Sequence, residues 1–238
     1  MAALNTYLSF GGKRLEQFGL YISGGASHGA PERDYEKVSV PGRNGDLIFD
    51  NGAYKNIEIT YHAGVRKPVA PHIRDLRNFL LSLRGYQRLE DSFHPETYRM
   101  AVFKGSIDPK LAVQGRIGEL DLKFDCKPQR FLVEGEKEIV LTSGTPIYNP
   151  TDMTALPLVR VYGTGTLAIG EETIVITQAD GYTDIDCDIM DAYKGTTNCN
   201  GNIQLSSGNF FHLEPGNNGV SITGSITGVT LIPRWWIL

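Results

Sequence analysis

The spacing of hydrophobic positions predicts strands along most of the chain and one helix. Between Pro71 and Arg84, apolar residues recur at the spacing of one helical face, at Ile73, Leu76, Leu80 and Leu83. A helix over about residues 71–84 is therefore predicted, with Pro71 in its first turn and Gly85 as a left-handed C-cap. A helix of this length is marginal in water alone, so its apolar stripe is expected to pack on a sheet.

Alternating polar and apolar residues predict strands on both sides of this helix. The alternating runs lie at residues 4–10, 15–22, 34–40, 46–49, 54–61, 86–89, 98–104 and 118–124. Two turns are predicted between them. Pro41-Gly42 suits a type II turn and Asn44-Gly45 is a strong hairpin signal, while Asp50-Asn51-Gly52 is interpreted as a second turn.

The second half of the chain is rich in short strands. They are predicted at residues 137–141, 158–162, 166–169, 172–176, 183–189, 210–213, 219–223 and 227–233. Turn residues such as Gly163-Thr164-Gly165 separate them at nearly regular intervals, which is typical of an antiparallel β-sandwich. Residues 124–131 are interpreted as the last strand of one domain and the linker to the next. The predicted fold class is therefore mainly β, with an N-terminal β domain and one packed α-helix at 1–133, and a C-terminal antiparallel sandwich at 134–238.

Charge divides the chain at the same place. Of the 238 residues, 1–133 carry 19 Lys and Arg against 15 Asp and Glu, whereas 134–238 carry 4 against 12. This asymmetry supports two units with different surroundings. The basic residues are scattered, so recognition of a nucleic-acid sequence is not predicted. No apolar run approaches the length of a membrane span, and the first ten residues lack a signal-peptide pattern, so synthesis in a cytoplasm is expected.

The candidate chemistry in the sequence is sparse. Asp184, Asp186 and Asp188 alternate along one predicted strand, about 6.8 Å apart, which is wide for ligands of a single cation. An acidic solvent face with Ile185, Cys187 and Ile189 buried behind it is the favoured interpretation. The three cysteines show no CxxC spacing and the five histidines no metal-binding spacing, so reduced thiols and no metal or cofactor are predicted. No catalytic residue is predicted, and the chain is interpreted as a non-enzyme.

The Trp235-Trp236 pair has two interpretations. Adjacent residues of a strand face opposite ways, so one indole can be buried while the other is exposed. The exposed ring could contact a partner or stack on a sugar. Alternatively, the pair anchors the end of the chain, and this reading is favoured.

Several short motifs keep a distinctive order across essentially the whole chain. They are Pro41-Gly42-Arg43-Asn44-Gly45 followed by Tyr54-Lys55-Asn56-Ile57, Phe79-Leu80 before Gly85-Tyr86, Phe124-Asp125-Cys126-Lys127-Pro128, Asn149-Pro150, Asp184-Ile185-Asp186-Cys187 running to Ala192-Tyr193, and Ile232-Pro233-Arg234-Trp235-Trp236. In this order and spacing, the sequence resembles the distal tail protein (Dit) family of long-tailed, non-contractile phages.

The resemblance implies a structural protein of the virion. It implies an N-terminal domain that forms a hexameric ring at the tail tip and a galectin-like C-terminal β-sandwich. Implied partners are the tail tube protein, the end of the tape-measure protein, the tail-tip hub or tail-lysin protein, and receptor-binding or baseplate proteins. DNA would pass through the ring without sequence recognition. The chain lacks the long outer-domain insertions of some members, so saccharide binding through such an insertion is not expected.

The loop between residues 40 and 45 and the following turn are the predicted subunit contact. A hairpin there could pair across a subunit edge. The residues concerned are Val40, Pro41, Gly42, Arg43, Asn44, Gly45, Asn51 and Gly52. The alternative function is a carbohydrate-binding module that uses Trp235 and Trp236. A glycoside hydrolase using the strand from Asp184 to Asp188 is a third class, and it is disfavoured.

Overall fold

The computed structural model of the chain describes residues 6–23, 29–107, 110–112 and 117–238. The beginning of the first predicted strand, at Leu4 and Asn5, lies outside these residues. The chain divides into two compact units, which are called the first and second unit below. The first comprises Met1–Arg130 with Leu238, and the second comprises Phe131–Ile237.

The first unit consists of antiparallel strands and a helix. Its elements are β1 (Leu8–Phe10), β2 (Lys13–Arg14), a 3-10 turn (Leu15–Phe18), β3 (Leu20–Ile22), β4 (Arg33–Ser39), β5 (Asp46–Tyr54), β6 (Ile57–Val65), α1 (Val69–Ser82), β7 (Gln87–Asp91), β8 (Thr97–Phe103), β9 (Lys110–Ala112) and β10 (Ile117–Cys126). The main sheet has the order β2-β1-β7-β8-β10-β6-β3, with β9 beside β10, and β4 and β5 form a separate pair.

The core of the first unit is built around Phe124 on β10. Its side chain is fully buried, and its ring centroid lies 4.8 Å from that of Phe10, 5.7 Å from Phe103 and 5.9 Å from Tyr61. Such tilted and edge-on contacts stabilise aromatic pairs beyond simple burial. The Tyr61 hydroxyl donates to the buried Asp91 carboxylate at 2.6 Å, so the polar end of this ring is also satisfied.

Helix α1 covers this core as its hydrophobic stripe predicts. Ile73, Leu76 and Leu80 are buried in the same cluster, and Phe79 stacks on Phe18 with centroids 5.1 Å apart. The helix begins and ends two residues earlier than predicted. Gly85 is left-handed, with φ 67°, but it is not the C-cap, because the helix ends at Ser82 and its C-cap is Leu83, which is extended.

The second unit is built from antiparallel strands. Its elements are β11 (Arg130–Leu132), which begins at the last residue of the first unit, a 3-10 turn (Val133–Glu136), β12 (Ile139–Val140), β13 (Ile147–Asn149), β14 (Leu158–Ile169), β15 (Glu172–Ile176), β16 (Tyr182–Asp186), β17 (Asp191–Lys194), β18 (Thr197–Asn198), a 3-10 turn (Asn200–Asn202), β19 (Ile203–Leu205), β20 (Gly216–Asn218), β21 (Val220–Ile232) and β22 (Trp236–Ile237). The larger sheet has the order β12-β21-β14-β16-β17-β18, with β15 between β14 and β19. β11 pairs with β22, and β13 pairs with β20.

Two long strands, β14 and β21, are neighbours in the larger sheet of the second unit. They pair along their whole length, with a bulge at Tyr162 and Gly163. On its other edge β14 pairs first with β16 and, beyond the bulge, with β15. The Leu141 amide donates to Val229 and the Gly144 amide to Val220. Because three residues span only about 10 Å, the two halves of β21 must fold towards each other across the core.

The bend corrects two predictions. Gly163-Thr164-Gly165 was expected to be a turn between two strands, and residues 219–223 and 227–233 were expected to be separate strands. Instead, each pair of segments is one continuous strand that bends at glycine. Gly163 and Gly165 have positive φ, as has Gly224 opposite them. The glycines are needed because the two backbones are too close for a side chain, and sequence alone does not distinguish this from a turn.

The predicted fold class is confirmed. The structure is mainly β and antiparallel, and one α-helix packs on the first unit within the described part of the chain. No helix among the described residues is long and apolar enough to span a membrane.

The glycine bend makes a testable prediction about stability. A Cβ at Gly163 (φ 89°) would lie 2.4 Å from the carbonyl oxygen of Ser225, whereas a Cβ at Gly144 (φ 84°) would meet nothing within 4 Å. Gly144→Ala should therefore lose only about 1 kcal/mol of unfolding free energy, the cost of the unfavourable φ. Gly163→Ala should lose about 3 kcal/mol, because overpacking adds to that cost.

Urea unfolding followed by tryptophan fluorescence measures this difference. Both tryptophans of the chain, Trp235 and Trp236, lie in the second unit, so the signal reports on that unit. Equal losses in the two variants would contradict the close approach of the strands.

Candidate functional site

The hairpin formed by β4 and β5 is a separate two-stranded sheet of the first unit, and none of its described residues belongs to the buried core cluster of that unit. Within the described part of the chain, the two strands pair only with each other, in a register that sets Glu36 opposite Phe49 and Val38 opposite Leu47. The main sheet of the unit does not include them. Isolated two-stranded hairpins are at best marginally stable in water. The β4–β5 hairpin is therefore expected to be stabilised by contacts with residues outside this two-stranded sheet.

Large apolar side chains of this hairpin lie exposed on both faces. The exposed fraction is 64% for Ile48, 56% for Phe49, 43% for Val38 and 41% for Tyr35. Val38 and Phe49 lie on one face, and Tyr35 and Ile48 on the other. Clustered exposed apolar residues of this kind mark interaction surfaces. The arrangement suits contact with another protein, because it offers apolar side chains and strand edges that pair with no other strand among the described residues.

The loop at the tip has the turn that its sequence predicts. The Arg43 amide donates to the Val40 carbonyl oxygen at 3.1 Å, and Gly42 at the third position has φ 79°. These features match a type II turn with Pro41 at the second position. Gly45 also has positive φ, and around both glycines the space is open. Residues 41–46 are exposed, so the structure brings the predicted contact residues 41–45 together at the hairpin tip.

The Asn51-Gly52 segment is a bulge within β5 and not the predicted turn. The register shifts between Asp34 and Tyr35, opposite these two residues, and Gly52 has φ 70°. The Asp50 carboxylate accepts the Gly52 amide at 2.9 Å and also pairs with Arg33 at 2.9 Å. The Gly52 amide is the main cause that lowers the pKa of Asp50. Asn-Gly suits a bulge as well as a turn, which explains the wrong prediction.

The acidic strand is not a solvent face. Asp184 and Asp186 are buried, and each carboxylate forms a bidentate ion pair with an arginine. The shortest distance between a guanidinium nitrogen and a carboxylate oxygen is 2.6 Å in both pairs. Arg160 binds Asp184 and Arg234 binds Asp186. Asp188 lies beyond the end of β16 and is exposed. Ile189, predicted to be buried, is 59% exposed, because the strand ends before it and the chain turns.

Both carboxylates are therefore used in ion pairs that stabilise the fold. Burial alone would raise the pKa of Asp186, but the Arg234 guanidinium and the Asp188 amide outweigh burial and hold that pKa below its usual value. Among the described residues, no group of three or more histidine, cysteine or acidic side chains could hold a metal ion. The arginine partners lie 24 and 48 residues away in sequence, so no local pattern could have indicated them.

The two tryptophans are both used in packing. Trp235 is buried in the core of the second unit, with 4% of its surface exposed. Trp236 is half-buried against the same core, and its indole N–H donates to the carbonyl oxygen of Thr154 at 2.9 Å. Neither ring stands free as a flat platform for a sugar.

The three cysteines are unbonded and buried. Burial raises the pKa of the Cys126 and Cys187 thiols to about 12. Their protonated, packed thiols are poor nucleophiles at neutral pH, because the thiolate is the reactive form.

The Asp186–Arg234 pair makes a prediction about pH dependence. A carboxyl whose pKa is lowered by folding contributes stability above its unfolded pKa of about 3.9 and loses it as the pH falls through the folded value. Asp186→Asn should lower the unfolding free energy at pH 7 by about 2 kcal/mol or more, because Arg234 is left half-buried without its charge partner. The difference from wild type should shrink as the pH approaches about 2.

The matched control is Asp180→Asn. Asp180 pairs with Lys194 at 2.8 Å, but its side chain is 99% exposed, so its loss should leave stability unchanged. Urea unfolding of the three proteins at a series of pH values measures both effects. The buried pair would be contradicted if the two variants behaved alike.

Comparisons with known proteins are informative at the level of structure. No family profile matches the sequence, and a search of curated proteins found no match either. Among solved structures, the Dit protein of phage SPP1 matches with a TM-score of 0.74 at 15% identity, covering 98% of this chain and 99% of that one. That protein is described as a paradigm of the hub adsorption apparatus in phages that infect Gram-positive bacteria.

Chains of the phage p2 baseplate in its activated conformation match more distantly. The strontium-containing structure gives a TM-score of 0.53 at 11% identity, covering 95% of this chain and 96% of that one. The calcium-containing structure gives 0.52 at 11% identity, covering 96% and 98%. The predicted resemblance is therefore confirmed for the fold: the chain has the fold of the phage distal tail protein Dit.

Proposed function

We propose that the protein is a distal tail protein, a structural component of a phage tail tip. The observation that carries this proposal is the match to SPP1 Dit over almost the whole of both chains, which includes both units. A shared β-sandwich alone would say little, because such folds serve many functions. A two-unit chain of matching extent is a more specific likeness. The buried, paired carboxylates and protonated thiols fit a structural role better than a catalytic one.

In this role the protein forms a hexameric ring that joins the tail tube to the host-adsorption apparatus. Its partners are the tail tube protein and the tape-measure end on one side, and the tail-tip hub or tail-lysin protein on the other, with receptor-binding or baseplate proteins alongside. The chain is made in the host cytoplasm and resides in the virion. The N-terminal domain at 1–133 forms the ring, and the C-terminal domain at 134–238 lies outside it.

The hairpin of β4 and β5 is the proposed contact between neighbouring subunits. A ring of identical chains needs a head-to-tail contact whose two surfaces differ. The hairpin offers exposed apolar residues on both faces and unpaired edges, and its tip carries Pro41 to Gly45. Burying Ile48 and Phe49 against a neighbour would gain about 2 kcal/mol for each side chain fully covered.

The alternative of a carbohydrate-binding module gains no support. It requires an accessible aromatic ring at Trp235 or Trp236, whereas one indole is buried and the other packs on the core.

Ring formation is tested by light scattering behind size exclusion, followed by negative-stain imaging. We expect a particle close to six times the chain mass of 26.2 kDa, with a central hole. Because rings can close on a template, the measurement is repeated over a range of concentrations and with the tail tube protein. A chain that stays monomeric throughout contradicts the proposal.

A second experiment tests the hairpin as the contact. Gly42→Val with Gly45→Val forces β-branched side chains onto positive φ and should distort the tip, so the ring is lost while both units stay folded. The control is Gly195→Val with Gly208→Val. These glycines also have positive φ and open surroundings, but they lie in the second unit.

Light scattering and circular dichroism are measured on both double variants. The control should assemble as wild type does. An intact ring from the hairpin variant, or loss of the ring from both variants, would contradict a specific role for the tip.

A further inference from the structure

We infer that a turn of the second unit docks on the outer face of helix α1 in a neighbouring copy. The turn comprises Asp188, Ile189 and Met190 and is called the Met190 turn. The docking face comprises Ala70, Arg74, Arg77 and Leu81 and is called the Leu81 stripe. The inference rests on the proposed ring, because it adds a second contact between copies to that of the hairpin.

The Met190 turn presents two large apolar side chains to solvent. Ile189 is 59% exposed and Met190 is 68% exposed. Leu156, 39% exposed, belongs to the segment whose Pro157 carbonyl oxygen accepts the amide of Cys187, just before the turn, at 3.1 Å. Large apolar side chains that are exposed close together commonly mark a surface that binds another molecule.

The turn is also held rigidly. The Asp188 amide donates to the Asp186 carboxylate at 3.1 Å, and the Arg234 guanidinium donates two hydrogen bonds to the same carboxylate, at 2.6 and 2.8 Å. Met190 itself has φ 53°, an uncommon and costly conformation for a residue with a side chain. A fixed turn loses little entropy on binding, which favours its use as an anchor.

The second unit, which carries the turn, has an excess of acidic side chains. Each of the four basic residues of the second unit is paired with a carboxylate within the unit, as Lys137–Glu134, Arg160–Asp184, Lys194–Asp180 and Arg234–Asp186. Residues 134–238 carry 12 acidic side chains against these four, and Asp188 is exposed beside the apolar pair. The complementary partner is therefore an apolar surface with a basic rim.

The Leu81 stripe has these properties. Its four residues follow at i, i+4, i+7 and i+11, so they share one face of α1 that flanks the buried stripe, and all four are exposed. Leu81 is 63% exposed. Asp75, the one acidic residue of the helix, pairs with Arg74, so the net positive charge of the helix comes from Arg77. Arg84 adds another positive charge just beyond the helix end.

The two surfaces are different and belong to one chain, so their contact is head-to-tail. Such a contact repeats from copy to copy and is compatible with a closed ring. Both surfaces are exposed within a single chain, which leaves them available to a neighbour.

Disulfide capture tests the contact directly. One tagged copy carries Met190→Cys and a differently tagged copy carries Leu81→Cys, while the three natural cysteines are buried. On mild oxidation, the mixed dimer should form about tenfold faster than either same-site dimer, since docking holds the two thiols together. Equal rates for the mixed and same-site dimers would overturn the inference.

Charge exchange tests the specificity of the contact. Arg74→Glu in the Leu81→Cys copy should slow mixed capture about tenfold, because like charges then face each other. Asp188→Arg in the Met190→Cys copy should restore the rate. Glu138→Arg, which makes the same charge change at an exposed site elsewhere in the second unit, should not. Rescue by both substitutions alike, or by neither, would show that the surfaces do not pair.

The outcome is separable from that of the ring itself. If rings are seen by light scattering and imaging but capture is not preferential, the proposed function is retained and the contact between the Met190 turn and the Leu81 stripe is contradicted. Preferential capture without closed rings would support the contact and count against the hexamer.

Discussion

Close approach of two backbones determines the second unit. β14 and β21 can bend together only because glycine occupies both strands at the bend, where a Cβ at Gly165 would lie 2.2 Å from the Thr223 carbonyl oxygen. The bend brings Val159 and Val161 on one half of β14 into the same core as Leu167 and Ile169 on the other. The segment around Leu141 then closes the unit by bonding to both ends of β21. Strands that change layers at a bulge are a general way to turn the corner of a β structure.

Charge has a structural role inside the second unit. In the second unit, opposite charges are used in pairs: the two aspartates of β16 hold arginines from β14 and from the segment before β22. Replacing either partner alone would leave a charge in a partly dry environment, which is why such pairs are difficult to remove. The remaining acidic side chains set the sign of the surface. A net charge concentrated in one unit biases which surfaces of other molecules approach it.

Prediction from sequence succeeded where one element carries a regular pattern. The apolar stripe of Ile73, Leu76 and Leu80 sufficed for helix α1, because a helix that packs on a sheet must bury one face. Prediction failed at the glycines, since a bend, a bulge and a turn need the same backbone freedom. Gly52 and Gly163 were both placed in turns and lie within strands.

The candidate site was predictable only in part. The turn at Pro41 and Gly42 is local and was recognised, but the exposure of Ile48 and Phe49 was not, because alternation indicates a strand without revealing whether a sheet covers it. The arginine partners of Asp184 and Asp186 are brought in by tertiary structure from distant segments. A strand of alternating carboxylates therefore reads as a solvent face until its neighbours are known.

The buried thiols have a consequence for the proposed role in a virion. Under that proposal, a particle assembled in a reducing cytoplasm must keep its shape in an oxidising medium after release. The three cysteines are packed as small apolar groups. Their contribution to the stability of the fold is therefore the same in a reducing and in an oxidising medium. The fold gains no disulfide on release and has no disulfide that could be reduced. Its stability outside the cell therefore depends on side-chain packing that is complete before release.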